Sequence, residues 1–149
     1  MRDMVLVFLT HNLALPMLQR MRKEKAFPYT MDELSGLNPG TLGHDLYQFI
    51  TVRKLSLLPH YARHDIKHIL LGYDTTGKDE VRLQCFMLGN RHVSFPVLAT
   101  VIYGFLTMPE YWGSFTKAYR RGRGAGEISH WDWFAILDRP TTLLQNAIK

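Results

Sequence analysis

The stretch that decides the fold is residues 63–80, RHDIKHILLGYDTTGKDE. Its apolar residues Ile66, Ile69 and Leu70 fall on one face of a helix, and the segment lacks the alternation of a strand. Gly72 supplies a helix stop, and the small polar residues that follow are typical of a connector. The stretch therefore predicts two consecutive helices joined by a short glycine-containing loop.

Helical periodicity continues on both sides of this stretch, without a convincing strand, hairpin turn or repeat. Ahead of it we expect an amphipathic helix at 4–18 that runs into the basic segment 20–25. A short helix should follow, which begins with the capping box of Thr30 and Glu33 and stops at Gly36. We then expect a turn at 38–40 and a helix from 41 to about 57. After it we expect a helical stretch from 78 to about 108 with a kink or break at Pro96, a helix from Pro109 to the glycines at 122, 124 and 126 that carries Trp112, Phe115 and Tyr119 into the core, a short aromatic helix at 129–137, and a last helix capped by Asp138. The predicted fold is all-α: a single-domain bundle of about six to eight helices over residues 1–149, with a metal site between two adjacent helices and an apolar cleft.

The composition excludes several classes of protein. Hydrophobic residues make up 46% and charged residues 21% of the 149 positions, which excludes disorder as the main state. The net charge of +5 is too mild for a general nucleic-acid-binding protein. The single cysteine, Cys85, excludes an internal disulfide framework and a cysteine-rich zinc finger, and it favours a reducing compartment. Polar residues interrupt the apolar start at 4–9, and no later stretch is long enough to span a bilayer, so we expect a chain that is soluble or lies on a membrane surface.

Four side chains around the predicted loop form the candidate metal site. His64 and His68 are four residues apart and therefore neighbours on one helix face, and Asp65 lies three residues before His68. Glu80 follows His68 by twelve positions, so an antiparallel helix pair brings its carboxylate back to the same edge. Imidazole nitrogens and carboxylate oxygens suit zinc, and also manganese or ferrous iron. We predict that His64, Asp65, His68 and Glu80 bind the metal and carry the catalysis.

The alternative interpretation of the pair is a coincidence on a solvated helix, because two histidines at this spacing occur on many surfaces. The other five histidines lack comparable neighbours and are interpreted as surface or satisfied core residues. His60 is the least secure of these, since it lies one helical turn before His64.

Two further features have both a structural and a functional interpretation. Lys117, Arg120, Arg121 and Arg123 form the densest basic cluster, either a solvated helix end or a site for an anion or lipid headgroup. A second set of side chains supplies more apolar surface than one short helix needs, either for core packing or for a prenyl cleft: Met87, Leu88, Val97, Leu98, Val101, Ile102, Phe105 and Leu106.

The pattern His-Asp-x-x-His, eleven residues, Glu, filled by His64, Asp65, His68 and Glu80, resembles the signature of the coenzyme Q biosynthesis protein 4 family. Flanking blocks match in the family's order: TLGHDLYQF at 41–49, ILLGY at 69–73, AYRRGRGAG at 118–126 and WDWFAIL at 131–137. The resemblance covers about residues 37–149.

The resemblance implies an all-α protein that holds a divalent metal, usually zinc, beside an apolar cleft for a polyprenyl chain. It implies a role in ubiquinone or related prenylated-quinone biosynthesis, at the ring of a polyprenylated benzoate-type precursor, where the C1 carboxylate is replaced by hydroxyl. The implied partners are the prenylated lipid or quinone precursor, other quinone-biosynthesis proteins and a membrane with which the protein associates peripherally. We also predict a cytoplasmic protein that contacts the inner face of the membrane, a second copy in a homodimer and no nucleic acid as a partner. The alternatives are a non-catalytic prenyl-lipid-binding scaffold with a structural metal and, more weakly, a metal phosphohydrolase.

Overall fold

The computed structural model describes residues 26–149, and this part of the chain is helical without a β-strand. Its seven α-helices are α1 (Met31–Ser35), α2 (Leu42–Val52), α3 (Ala62–Leu71), α4 (Gly77–Gly89), α5 (Phe95–Thr107), α6 (Trp112–Gly124) and α7 (Thr141–Ile148), with a short 3₁₀ helix at Pro109–Tyr111. The predicted all-α class and the number of helices are confirmed for these residues. None of these helices is both long enough and apolar enough to cross a bilayer.

One compact unit comprises residues 26–72 and 130–149, which contain α1, α2, α3 and α7. The two segments are joined by backbone hydrogen bonds at the start of α2, where the N–H groups of Leu42 and Gly43 donate to the carbonyls of Arg139 (2.9 Å) and Leu137 (2.8 Å). Helix α3 packs against α2 and α7. The core of this unit includes the aliphatic side chains of Leu34, Leu42, Leu46, Ile50 and Ile66.

The other compact unit contains residues 73–129, with α4, α5 and α6. Helices α4 and α6 cross at close range, because a Cβ on Gly89 would overlap the backbone of Tyr119 and a Cβ on Gly122 would overlap the backbone of Phe86. Glycine is therefore required on both helices for this approach. Phe86 and Phe115 are fully buried in the core of the unit.

Local signals explain where the two helices of the deciding stretch end and begin. Helix α3 stops at Gly72, which takes the left-handed conformation with φ of 70° and donates its N–H to the carbonyl of His68. Helix α4 starts after Thr76, whose hydroxyl accepts a hydrogen bond from the N–H of Asp79. The predicted stop at Gly72, the connector and the second helix are all confirmed, and so is the capping box of Thr30 and Glu33 that opens α1.

Two predicted helices have different bounds in the structure. The helix expected from 41 to about 57 ends at Val52, because Lys54 takes a positive φ of 54° that no α-helix continues. The stretch expected from 78 to about 108 is broken ahead of Pro96, where Arg91 has a φ of 65°. Pro96 itself lies in the first turn of α5, where backbone N–H groups have no acceptor within the helix, so proline is tolerated there.

The predicted aromatic helix at 129–137 is wrong, since residues 133–138 form turns. The carboxylate of Asp132 accepts the N–H of Phe134, and the N–H of Ala135 donates to the carbonyl of Asp132, so short-range bonds replace the helical ladder. Asp138 does not cap α7, whose first carbonyl acceptor is Pro140.

Burial along α5 and α6 also differs from the prediction. Phe115 is in the core as expected, but Trp112 and Tyr119 are exposed. On α5, Val97 is buried as predicted for core packing. That prediction is wrong for Leu98, Ile102 and Leu106, which are exposed. The helix predicted at 4–18 lies outside the described residues.

Candidate metal centre

Helix α3 places two imidazole rings in a T-shaped contact. His64 and His68 lie one turn apart, and their Nε2 atoms are 3.0 Å from each other. The ring planes are inclined by 75°, with the centroids 4.7 Å apart. At this separation the two nitrogens either share a hydrogen bond or bind one metal ion in place of the shared proton.

Aromatic neighbours in the same unit surround both rings. The His68 ring stacks on Phe49 of α2 with centroids 6.1 Å apart, and the His64 ring lies 4.6 Å from that of Tyr61. His68 is only 1% exposed and His64 is half-buried. The pair is thus built into the packing of α2 and α3, which disfavours the interpretation as a coincidence on a solvated helix.

The separation of the two nitrogens can be compared with metal geometry. Two nitrogens at about 2.05 Å from a tetrahedral zinc ion are roughly 3.3 Å apart, and adjacent ligands of an octahedral ion at about 2.1 Å are roughly 3.0 Å apart. The observed 3.0 Å between the Nε2 atoms is within a few tenths of an ångström of both values. The separation of the two nitrogens is therefore compatible with either geometry.

Glu80 supplies the carboxylate of the group. It occupies the first turn of α4 and is half-buried. One ligand atom from each of His64, His68 and Glu80 lies within 4.8 Å of the other two. These three residues could therefore hold a metal ion, as the sequence spacing predicted.

Asp65 is outside this three-residue group, although it is buried on the same helix. Asp65 directly follows His64, and successive helix positions point about 100° apart. Its role as a ligand therefore stays a prediction. The buried Cys85 is also outside the group, and burial raises the pKa of its thiol to about 12.

The basic cluster on α6 does not point uniformly into solvent. All three arginines, Arg120, Arg121 and Arg123, are exposed at the end of the helix. The guanidinium of Arg121 nevertheless lies over two aromatic rings, 5.4 Å from the centroid of Tyr73 and 5.3 Å from that of Phe86. Arg121 thus contributes to packing in its unit, and the anion or headgroup role of the cluster stays a prediction.

Sequence reasoning missed Asn90, the residue that follows α4. Its amide nitrogen donates to the carbonyls of Gly122 (3.2 Å) and Gly126 (3.0 Å), and its amide oxygen accepts the N–H of Ile128 (3.0 Å). Asn90 is 3% exposed. The only signal in the sequence was an asparagine at the end of a helical pattern, which is typical of an ordinary helix stop.

Comparison with known proteins places the fold. No protein-family model matches the chain, and no curated protein matches it. Among solved structures, the crystal structure of a provisionally named ubiquinone biosynthesis protein from Nostoc punctiforme PCC 73102 has a TM-score of 0.69 at 22% sequence identity. The match covers 99% of this chain and 80% of that one. The two proteins share one fold.

This likeness confirms the all-α architecture. It agrees with the resemblance found in the sequence at the level of the fold, while membership of that family stays a prediction.

Proposed function

We propose that this protein binds a divalent metal ion through His64, His68 and Glu80 and uses it in ubiquinone or related prenylated-quinone biosynthesis. The observation that carries the proposal is the convergence of the three ligand atoms within 4.8 Å. Asp65, one residue after His64, is the fourth proposed ligand. Zinc is the proposed ion, because two imidazoles and carboxylate oxygens without thiolates match catalytic zinc sites.

The proposed substrate class is a polyprenylated benzoate-type ring. The name of the Nostoc protein supports the pathway, since a protein of the same fold has been assigned provisionally to ubiquinone biosynthesis, and the substrate class follows from the resemblance in the sequence. A divalent ion supplies a Lewis acid that can bind a ring carboxylate or phenol and stabilise negative charge as carbon dioxide leaves. His64, His68 and Glu80 would hold that ion. Phe49 and Tyr61 contact the two imidazole rings and restrict their orientation.

The proposed reaction at ring carbon C1 replaces a carboxyl group by a hydroxyl group. The C1–carboxyl bond breaks to release carbon dioxide, water supplies the new hydroxyl oxygen, and two protons and two electrons leave. An external two-electron acceptor must take those electrons. Decarboxylation without hydroxylation needs no electron acceptor. An assay without the acceptor therefore measures decarboxylation alone, and adding the acceptor shows whether hydroxylation follows.

Genetic complementation tests this function. The chain is expressed in a strain that lacks a ubiquinone-biosynthesis protein of this fold, and quinone is measured by mass spectrometry. We expect the wild type and the His60→Ala variant to restore quinone, because His60 is exposed and outside the metal group. The His64→Ala/His68→Ala double variant should restore none. Equal quinone from the double variant, at equal protein level, would refute a functional metal.

A second candidate is a prenyl-lipid-binding scaffold in which the metal is structural. The burial of His68 against Phe49 favours it, since a bound ion would then tie α3 into the core. In the proposed enzyme, chelation abolishes activity and leaves most helical circular dichroism, because the helices on either side bury their own apolar faces. Unfolding on chelation would support the scaffold instead. Both candidates include contact with prenylated lipid at the inner face of the membrane and with other quinone-biosynthesis proteins.

A further inference from the structure

The guanidinium of Arg53 lies next to the histidine pair of the candidate metal centre, in the same compact unit. Arg53 caps the C-terminal end of α2 and donates its backbone N–H to the carbonyl of Phe49. Its guanidinium carbon is 4.0 Å from the centroid of the Phe49 ring, and the same ring stacks on the imidazole of His68 with centroids 6.1 Å apart. Because the two distances share the Phe49 centroid, the guanidinium lies within about 10 Å of the His68 ring.

The stack on Phe49 holds this charge in place and keeps its donors usable. Phe49 is buried, whereas Arg53 is exposed. A guanidinium that lies over a ring contacts the ring through its flat face, while its N–H donors point outwards in its plane. Such a group binds a carboxylate through two parallel hydrogen bonds. Arg53 therefore has the geometry of an anion-binding side chain whose position is set by a residue of the core.

The charges near Arg53 in the sequence favour a negatively charged ligand. Residues 46–64 contain Arg53, Lys54 and Arg63 but no Asp or Glu. A surface with charges of one sign raises the local concentration of ligands with the opposite sign. Cations are also favourable at the C-terminal end of a helix, which accounts for Lys54 as well as Arg53 without a ligand. The stack on Phe49 is the feature of Arg53 that this end effect does not explain.

The substrate class proposed above carries a carboxylate on its ring, and the product does not. A ring acid with an oxygen substituent on another ring carbon can bind a metal ion through that oxygen and Arg53 through its carboxylate. The ring with its substituents extends over several ångströms, and a charge-assisted hydrogen bond adds about 2.8 Å, which is compatible with the distance between the guanidinium and His68. When carbon dioxide leaves, the anion that the guanidinium binds is lost.

We propose that Arg53 is a specificity-determining residue that binds the ring carboxylate of the substrate beside the metal centre. The proposal rests on the proposed function, because it assigns the recognition of the same substrate class to a further residue. Arg53 separates substrate from product, since the decarboxylated ring lacks the group that it binds. An interaction that is lost as the carboxylate leaves stabilises the bound substrate more than the transition state. Replacing Arg53 should therefore raise KM and leave kcat unchanged or higher.

Two probes that differ only in the carboxylate test this role. They are para-hydroxybenzoate carrying one dimethylallyl group and the dimethylallylphenol that lacks its carboxyl group, and calorimetry measures their dissociation constants on the full chain with and without zinc. We expect Arg53→Gln to bind the acid at least about tenfold more weakly than the wild type does, and the phenol equally well. Arg53→Lys keeps the charge without the planar fork and should recover part of the affinity. Lys54→Gln is the matched control, because it removes the same charge from the next residue, which is also exposed, and should change either constant less than about twofold.

Metal content measured on the same samples separates this role from the metal centre. Arg53→Gln should keep as much zinc as the wild type, because Arg53 is not one of the three ligands. An Arg53→Gln variant that binds the acid like the wild type would overturn the proposal, and so would a Lys54→Gln variant that loses as much affinity for it. Loss of the phenol together with the acid would assign Arg53 to the packing of Phe49 instead. A wild type that binds no zinc but distinguishes acid from phenol through Arg53 would refute the metal function and support the role of Arg53.

Discussion

Removing the side chain of Asn90 should lower the free energy of unfolding by more than the substitution of an exposed residue does. Asn90→Ala deletes both hydrogen bonds that the amide donates and the one that it accepts. The carbonyl of Gly122 belongs to the last turn of α6, where helix carbonyls have no intrahelical partner. Without the Asn90 amide, the carbonyl of Gly122 is therefore a buried acceptor that has lost its donor.

The magnitude follows from which groups water can reach. Gly122 and Ile128 are buried, whereas the carbonyl of Gly126 is partly exposed and can bond to water. Two buried groups without partners cost about 1–3 kcal/mol each, so we expect the free energy of unfolding to fall by about 2–6 kcal/mol. This is a large part of the stability of an ordinary domain.

Urea unfolding monitored by circular dichroism measures the difference. Asn146→Ala is the matched control, because Asn146 is exposed on α7 and should change the free energy of unfolding by less than about 0.5 kcal/mol. Asn90→Asp keeps the acceptor but loses the donor, so it should be at least as destabilising as Asn90→Ala. A loss under about 1 kcal/mol for Asn90→Ala would refute the reasoning.

Three further predictions concern the Cys85 thiol, the arginine cluster on α6 and the glycine at the crossing of α4 and α6. Because burial raises the pKa of Cys85 to about 12, iodoacetamide at pH 8 should react on the order of a thousandfold more slowly with the folded than with the unfolded protein. The stability that this thiol contributes is fully present below its usual pKa of 9.0 and is lost as the pH rises towards 12, which alkaline unfolding curves measure. Replacing Arg120, Arg121 and Arg123 by Gln should lower partitioning onto anionic vesicles about a hundredfold at low salt, and equal flotation of both proteins would eliminate a headgroup role. Gly122→Ala should lower the free energy of unfolding by about 2–4 kcal/mol, because its methyl meets the backbone of α4; an unchanged urea midpoint would contradict the close crossing.

Much of the helical pattern was predictable from residues whose effect is local. Thr30 with Glu33 fixed the start of α1, and Gly72 fixed the end of α3, because caps and left-handed stops act through bonds to neighbouring residues. The early end of α2 was not predictable, since the positive φ at Lys54 has no signal in its residue type. The turns around Asp132 were likewise missed, because its side chain replaced a helical bond in an otherwise apolar segment.

The candidate metal site was predictable in part for the same reason. The four-residue spacing of His64 and His68 determines their contact on any helix, whatever the rest of the chain does. The position of Glu80 depended on a loop, and the spacing predicted it only because Gly72 and Thr76 set the limits of that loop. Exposure along α5 could not be predicted, because an apolar helix reads the same whether its neighbour is the same chain or another molecule.

Metal content tests the central claim most directly. The full chain is purified without chelator, incubated with excess zinc and dialysed, and metal is measured by plasma mass spectrometry together with protein concentration. The account predicts about one ion per chain for the wild type and for His60→Ala, and less than about a tenth of that for His64→Ala/His68→Ala, since residues 26–149 contain no second such group of ligands. A double variant that retains as much metal as the wild type, or a wild type that retains none, would contradict it.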